Sequence, residues 1–270
     1  MPELPEVETT RRGMLPLLNQ TVSKVIIRNA SLRWPIPDHL AATLPQQSLI
    51  ELSRRGKYIL ARYTNGTLIL HLGMSGRVCL LEQDEAPAKH DHFDIHFMDG
   101  HVMRLRDPRR FGAVLWAGHD PNSHPLIRVL GPEPLEPEFT GEYLYKNIRT
   151  RTASIKTTIM DSHLVVGVGN IYASESLFRA GINPQKPANK LSKAHCAKLV
   201  DEIRTTLEAA LEAGGSSLRD FFGADGNPGY FQQEYFVYGR TDQPCKICNT
   251  PIKSVRLGQR STFFCSHCQR

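Results

Sequence analysis

Two groups of residues in this sequence have types and spacings suited to chemistry. Four of the six cysteines stand as Cys245-x2-Cys248 and Cys265-x2-Cys268, with sixteen residues between the pairs. Four thiolates in two such knuckles can surround one tetrahedral zinc ion at about 2.3 Å per sulfur. A two-residue gap lets a tight turn aim both sulfurs inward, and the spacer is long enough for a hairpin joining the knuckles. A closed four-sulfur site is structural, so the expectation is one structural zinc ion and no organic cofactor. The ion would replace the apolar core that a terminal segment of about 30 residues cannot build. Cys79 and Cys196 stand alone and read as small buried hydrophobes.

The second group is the chain start, Met1-Pro2-Glu3-Leu4-Pro5-Glu6-Val7-Glu8. A small second residue permits removal of Met1, which would leave Pro2 as an N-terminal secondary amine. An α-amino group has an ordinary pKa of about 8 against about 10.4 for lysine, so more of it is neutral and nucleophilic at pH 7. Attack by such an amine on an aldehyde-like carbon gives an iminium ion, an electron sink that drives elimination at the neighbouring carbon. Glu3 could move a proton on a leaving sugar oxygen, and Glu6 could orient the amine. The same letters also read as an acidic first turn, because proline and glutamate are good helix-start residues. Both readings stand at this level.

These groups need elements to hold them. The 270 residues allow one large domain or two modest ones, and the absence of a basic or apolar leader predicts a cytoplasmic protein. In that reducing setting paired cysteines hold metal in preference to forming disulfides. No apolar run is long enough for a membrane span, so no membrane partner is expected. A formal charge of +6 suits a polyanionic partner.

Short, partly alternating segments predict strands at Val22–Arg28, Leu49–Leu52, Tyr58–Tyr63, Thr67–Leu72, Phe93–Met98, Val102–Leu105 and Phe111–Trp116. Asn65-Gly66 and Asp99-Gly100 are hairpin signals between them. No helical period interrupts this stretch, which argues for a sandwich or barrel-like sheet. Val7–Leu18 is expected to form a helix against it. Later segments read as helices: Ser154–Ser162, Asn170–Arg179, and Lys193–Glu212 with Leu199, Ile203, Leu207 and Leu211 on one stripe and Gly214-Gly215 as its stop.

An ordered set of motifs then becomes visible. It runs from PELPEVE at 2–8 through RGKY at 55–58, HLGMSG at 71–76, KHDH at 89–92 and DPRRFG at 107–112 to GVGNIYASE at 167–175 and the terminal knuckles. With these, nearly the whole chain resembles the bacterial formamidopyrimidine-DNA glycosylases, also called 8-oxoguanine-DNA glycosylases. The resemblance implies a multidomain α+β fold. An N-terminal β-sandwich with flanking helices occupies 1–118 and a linker 119–137. A helix–two-turns–helix domain with a lesion-capping loop occupies 138–238, and a four-cysteine β-hairpin zinc finger 239–270. The implied partner is double-stranded DNA carrying oxidised purines or abasic sites, bound by a monomer and therefore associated with the nucleoid.

The resemblance also assigns roles. Pro2 is the nucleophile, Glu3 the general acid/base, Glu6 a positioning group and Lys57 a phosphate-binding amine that assists catalysis. His71, His90 and His92 match backbone-binding positions. Met74, Arg109 and Phe111 match the trio that fills the hole left by an extruded nucleotide, which such enzymes must swing out of the stack. Asn170 and Arg260 match phosphate-binding positions, and Glu175, Ser217 and Arg219 the lesion pocket. One departure stands out: Ser216-Ser217-Leu218-Arg219 lies where many relatives carry Thr-Thr-Leu-Lys, and arginine is not a neutral replacement for lysine. Two alternatives remain, an endonuclease VIII-like enzyme preferring oxidised pyrimidines and a non-catalytic zinc-containing binder of damaged DNA. Leu4, Met74 and Phe111 favour the purine branch.

Overall fold

The computed structural model describes residues 2–214 and 235–270. They divide into two compact units, one formed by residues 2–128 with 213–214 and the other by residues 129–212 with 235–270. Among the described residues no helix is long and apolar enough to cross a membrane.

The first unit is a sandwich of two antiparallel four-stranded sheets. One sheet has the order β1-β6-β7-β5, from β1 (Val22–Ile27), β5 (Arg77–Leu81), β6 (Asp91–Phe97) and β7 (Val102–Arg106). The other has the order β2-β3-β4-β8, from β2 (Leu49–Arg55), β3 (Tyr58–Tyr63), β4 (Gly66–His71) and β8 (Ala113–Trp116). Both hairpin signals lie at the expected joints, between β3 and β4 and between β6 and β7. Leu49, Ile59, Leu68 and Leu70 from one sheet and Val22, Phe93, Ile95 and Leu105 from the other share one apolar core.

Several boundaries differ from the sequence expectation for identifiable reasons. β2 runs on past Leu52 to Arg55, and β5, a short edge strand after Gly76, carries no alternation to announce it. Phe111 lies outside β8, which starts at Ala113. The N-terminal helix α1 spans Leu4–Gly13, beginning three residues before Val7, because proline is tolerated in a first helical turn, and a one-turn helix, α2 (Leu40–Thr43), packs on β1. Pro16 ends α1: Leu15–Leu17 is only a 3-10 turn, which leaves Leu15 exposed and buries Met14 and Leu17 instead.

The second unit is built on α3 (Gly141–Ile148), α4 (Ile155–Ile159), α5 (Asn170–Ala180) and α6 (Lys193–Glu212), followed by a hairpin of β9 (Lys253–Leu257) and β10 (Arg260–Phe264). α6 packs on α3 and α5, and α5 also packs on β10. Leu199, Ile203 and Leu207 of α6 are buried as expected, but the buried face then turns to Ala210 and leaves Leu211 half-exposed. A strict four-residue repeat drifts around a helix of 3.6 residues per turn, so its last member leaves the stripe. α4 is shorter than the expected Ser154–Ser162, with Ser154 capping it through its hydroxyl. The stretch 119–137 divides between the units: Gly131, Pro132 and Pro134 hydrogen-bond to Ser162, Val166 and Arg204 of the second.

Candidate active site

The chain start is fixed by its own helix. Pro2, Glu3 and Glu6 are all buried. Glu3 is the N-cap of α1, and the Glu6 carboxylate accepts the Glu3 backbone N–H at 2.8 Å, completing a capping box. Glu8 is different. It accepts from Arg11 at 2.7 Å and Arg12 at 2.9 Å and lies 3.4 Å from Arg54 of β2. Burial would raise its pKa, but the hydrogen bonds and charges of these arginines hold it below the usual carboxylate range. Glu8 therefore ties the helix to β2, while the Glu6 carboxylate holds the Glu3 backbone that follows Pro2.

Lys57 follows Gly56 in the two-residue turn joining β2 and β3. Its charge reaches His71 at the end of β4, whose pKa is pushed down to about 4 by burial first, then by Lys57 and Arg33. His71 is thus neutral at pH 7. Its Nδ1 accepts the Gly73 N–H at 3.1 Å, so the ring proton sits on Nε2, which is left as a donor. Arg33, which sequence reasoning passed over, is exposed, stacks on Trp34 at 4.6 Å and is pinned by its N–H to the Gly112 carbonyl at 3.2 Å.

Met74, Arg109 and Phe111 sit on two touching loops. Phe111 is 44% exposed, unusual for so large an apolar side chain, and the Arg109 guanidinium lies 4.9 Å from its ring centre. Gly73, at φ +62°, packs so closely that an added Cβ would lie 2.3 Å from the Phe111 backbone. Only glycine fits there. Asp107 anchors this arrangement, and nothing but its place in the DPRRFG run marks it in the sequence. His92 is buried with Nε2 2.9 Å from the Asp107 carbonyl, so it braces the loop from beneath; His90 is half-exposed beside it.

In the second unit the expected phosphate-binding residues Asn170 and Arg260 are linked through a third. Asn170 opens α5, with Gly169 as the N-cap. Its Oδ1 accepts from Lys156 Nζ at 2.6 Å, and its Nδ2 donates to the Ser261 carbonyl at 3.1 Å. Lys156 is buried and also donates to the Ser261 carbonyl at 3.0 Å and the Thr262 hydroxyl at 2.8 Å. One ammonium group thus sets both the start of α5 and the strand that begins at Arg260. Arg260 itself is exposed, just after a Gly258-Gln259 turn whose two positive φ values, +51° and +62°, are those of a type I′ hairpin.

Glu175, expected at the lesion pocket, is buried on α5 with both oxygens committed to backbone. Oε2 accepts the Phe236 N–H at 2.9 Å, and Oε1 those of Val237 and Tyr238 at 3.0 and 2.9 Å. Ser217 and Arg219 lie outside the described residues, as does Met1.

The four cysteines converge around β9 and β10. The Cys245 and Cys268 sulfurs are 3.9 Å apart and those of Cys248 and Cys265 3.4 Å, and all four lie within 4.8 Å of one another. A tetrahedron with sulfurs about 2.3 Å from zinc has edges of about 3.8 Å, so the donor set fits one ion. Hydrogen bonds from Thr250 pull Cys248 down to about 6, while burial and neighbouring thiols push Cys265 and Cys268 up. A divalent cation permits all four to ionise together. Among the described residues Asp84, Asp94 and His96 also approach one another. There, however, Asp94 already accepts from Arg28 at 2.6 Å and Arg104 at 2.8 Å, so the cluster is an ion-pair network and not a second metal centre.

Comparison with known proteins adds three domain matches in chain order. Residues 1–114 match the formamidopyrimidine-DNA glycosylase N-terminal domain, 130–222 the formamidopyrimidine-DNA glycosylase H2TH domain, and 242–270 a zinc finger found in FPG and IleRS. The chain is 68% identical over 270 residues to a formamidopyrimidine-DNA glycosylase of Methylobacillus flagellatus, covering all of this chain and 97% of that one. It is 54% identical over 271 residues to the enzyme of the same name from Pseudomonas syringae pv. tomato, covering both in full. Among solved structures it resembles the MutM (Fpg) protein of Thermus thermophilus, with a TM-score of 0.89 at 36% identity over 99% of this chain and 98% of that one. It also resembles Lactococcus lactis Fpg in complex with abasic-site DNA, with a TM-score of 0.91 at 33% identity over 99% of both chains.

Proposed function

The chain belongs to the formamidopyrimidine-DNA glycosylase family and is a DNA-repair glycosylase with one structural zinc site, and from that premise we propose that it excises oxidised purines from duplex DNA through a covalent intermediate on Pro2. Its substrates are 8-oxoguanine opposite cytosine, formamidopyrimidines and abasic sites. The observation that carries this reading is the buried chain start, where Pro2, Glu3 and Glu6 are all buried and the Glu6 carboxylate fixes the Glu3 backbone N–H next to Pro2. Support for the DNA partner comes from the Lactococcus lactis relative, solved with abasic-site DNA and, as a G226P mutant, with Fapy-dG containing DNA.

After removal of Met1 the Pro2 nitrogen attacks C1′ of the extruded nucleotide, and the bond from C1′ to the base breaks with proton transfer to the leaving base. Glu3 protonates the ring oxygen as the sugar opens, leaving the C1′ iminium on proline. The cationic nitrogen acidifies C2′. Loss of a C2′ proton expels the 3′ phosphate, and loss of a C4′ proton then expels the 5′ phosphate, so the enzyme is also an abasic-site lyase.

Lys57, the Nε2–H of His71 and Arg260 supply donors to phosphates, with Asn170 presenting the start of α5. His92 acts through the loop it braces. Met74 and Phe111 occupy the vacated space, and Arg109 meets the orphaned cytosine.

The test is incubation of Met1-processed protein with duplexes carrying 8-oxoguanine or dihydrouracil, followed by borohydride and peptide mass spectrometry. The expected result is a reduced sugar adduct on Pro2, formed faster from 8-oxoguanine. No trapped species, or an adduct on another residue, overturns the mechanism. Preference for dihydrouracil transfers the chain to the pyrimidine-excising branch.

A further inference from the structure

Three side chains that fill one hole in a duplex must arrive together, yet Met74 is separated in sequence from Arg109 and Phe111 by more than thirty residues. The structure joins their loops through one carboxylate. Asp107 is fully buried, and its Oδ1 accepts the Ser75 hydroxyl at 2.7 Å and the Arg109 N–H at 3.3 Å. Its Oδ2 accepts the Gly112 N–H at 2.8 Å. The Ser75 oxygen in turn accepts the Arg109 N–H at 3.1 Å, closing a ring of contacts between the residue after Met74 and the backbone of Arg109. The main chain of Asp107 is equally tied, by its N–H to the His90 carbonyl at 3.0 Å and by its carbonyl to His92 at 2.9 Å.

Asp91 and Asp94, the neighbouring buried aspartates, are neutralised by arginines. Asp107 is held instead by backbone N–H groups and one hydroxyl, which fix direction as well as charge. Such an anchor specifies a loop shape more than it adds attraction.

We propose that Asp107, through the Ser75 hydroxyl, is a positioning residue that locks the Met74 loop to the Arg109–Phe111 loop, so that the three side chains enter the duplex as one preset unit. This rests on the reading of Met74, Arg109 and Phe111 as the filling trio. Without the lock, each loop must be ordered separately when DNA binds, and that cost falls on the extrusion step.

A double-mutant cycle tests it, using single-turnover excision of 8-oxoguanine from a duplex and thermal unfolding of each variant. Ser75→Ala removes only the linking hydroxyl. It should slow excision about five- to tenfold, the worth of one hydrogen bond, and lower the melting temperature by only a few degrees, so that every variant stays folded in the assay. Met74→Ala should slow excision as well. In the double variant the Ser75→Ala loss should disappear, because the hydroxyl acts through a side chain no longer there. A Met74→Ala enzyme as fast as the wild type removes the filling role itself. A slow Met74→Ala enzyme on which Ser75→Ala has no effect, or adds in full, overturns the coupling and leaves the filling role standing. Asp107→Asn supplies a second variant: its amide would face backbone N–H groups, and the same loss of additivity with Met74→Ala is expected.

Discussion

Replacing Glu175 by glutamine separates two roles for a residue that the motif match places at the lesion and the geometry places under a loop. The wild-type carboxylate takes three backbone N–H groups, two on Oε1 and one on Oε2. Glutamine has nearly the same shape but only one acceptor. With its oxygen in the Oε1 place it keeps the Val237 and Tyr238 bonds as neutral ones and turns an NH2 toward the Phe236 N–H. Hydrogen bonds to an ionised group are worth roughly 1.5–3 kcal/mol against about 1 for neutral pairs, and a buried donor left facing a donor costs about 1–3 kcal/mol. The sum is about 2–7 kcal/mol of lost stability, at roughly 2–4 °C in melting temperature for each kcal/mol in a chain of this size.

The loss should spread to the zinc finger. Val237 shares a small core with Cys245, Ile252, Cys265 and Phe178, so loosening residues 236–238 removes one wall of the metal site. Glu175→Gln should therefore release zinc faster to a chelator with a colour change on binding, in parallel with its lower melting point. The ratio of 8-oxoguanine to formamidopyrimidine excision should stay that of the wild type. Unchanged melting and zinc retention with an altered excision ratio would show that the carboxylate reads the damaged base, and the loop-anchoring account would be wrong.

Three further outcomes follow from other sites. Lys156→Met keeps the length of the side chain but leaves the acceptors of Asn170, Ser261 and Thr262 without their ammonium; affinity for abasic-site duplex, read by fluorescence anisotropy, should fall about tenfold or more while zinc content stays at one per chain. Cys265→Ser should lose the zinc and DNA binding together, with near-wild-type strand content by circular dichroism because the sandwich does not use the ion. His71 contributes to stability with a definite sign: its pKa is about 4 in the fold against an ordinary 6.5, so its contribution is complete above about 6.5 and disappears as pH falls toward 4. The full shift corresponds to at most about 3 kcal/mol, less for a partly exposed ring, and His71→Asn should flatten urea-unfolding stability between those pH values.

Features that repeat locally were legible in the sequence. The knuckles, the Asn65-Gly66 and Asp99-Gly100 turns, six of the eight sandwich strands within about two residues at either end and the long helix α6 each leave a trace of spacing or period. What was not legible has one physical form: a charged side chain satisfied by groups far along the chain. Lys156 in an Ile-Lys-Thr-Thr stretch looks like solvated surface, yet its acceptors include one 105 residues away. The partners of Glu175 are 61–63 residues distant and are main-chain N–H groups, which carry no residue identity to recognise. Asp107 looks like the opening of an Asp-Pro turn, and only the fold brings Ser75 to it.

The chain start shows how two readings of the same letters can both hold. Glu3 does cap α1, and Glu6 does complete the box, so the helix-start reading is realised in the structure. Capping alone does not account for the choice of residue. Serine, threonine, aspartate and asparagine cap as well or better, and a longer ionisable side chain that is only 1% exposed carries a desolvation cost that a serine hydroxyl avoids. Glu3→Ser should on this reasoning leave the helix, and the melting temperature, within about 1 kcal/mol of wild type while removing sugar-ring opening, and with it strand cleavage and the borohydride-trapped adduct. If the serine variant keeps strand cleavage, the cap is the whole role of Glu3, and proton transfer at the sugar must be assigned elsewhere.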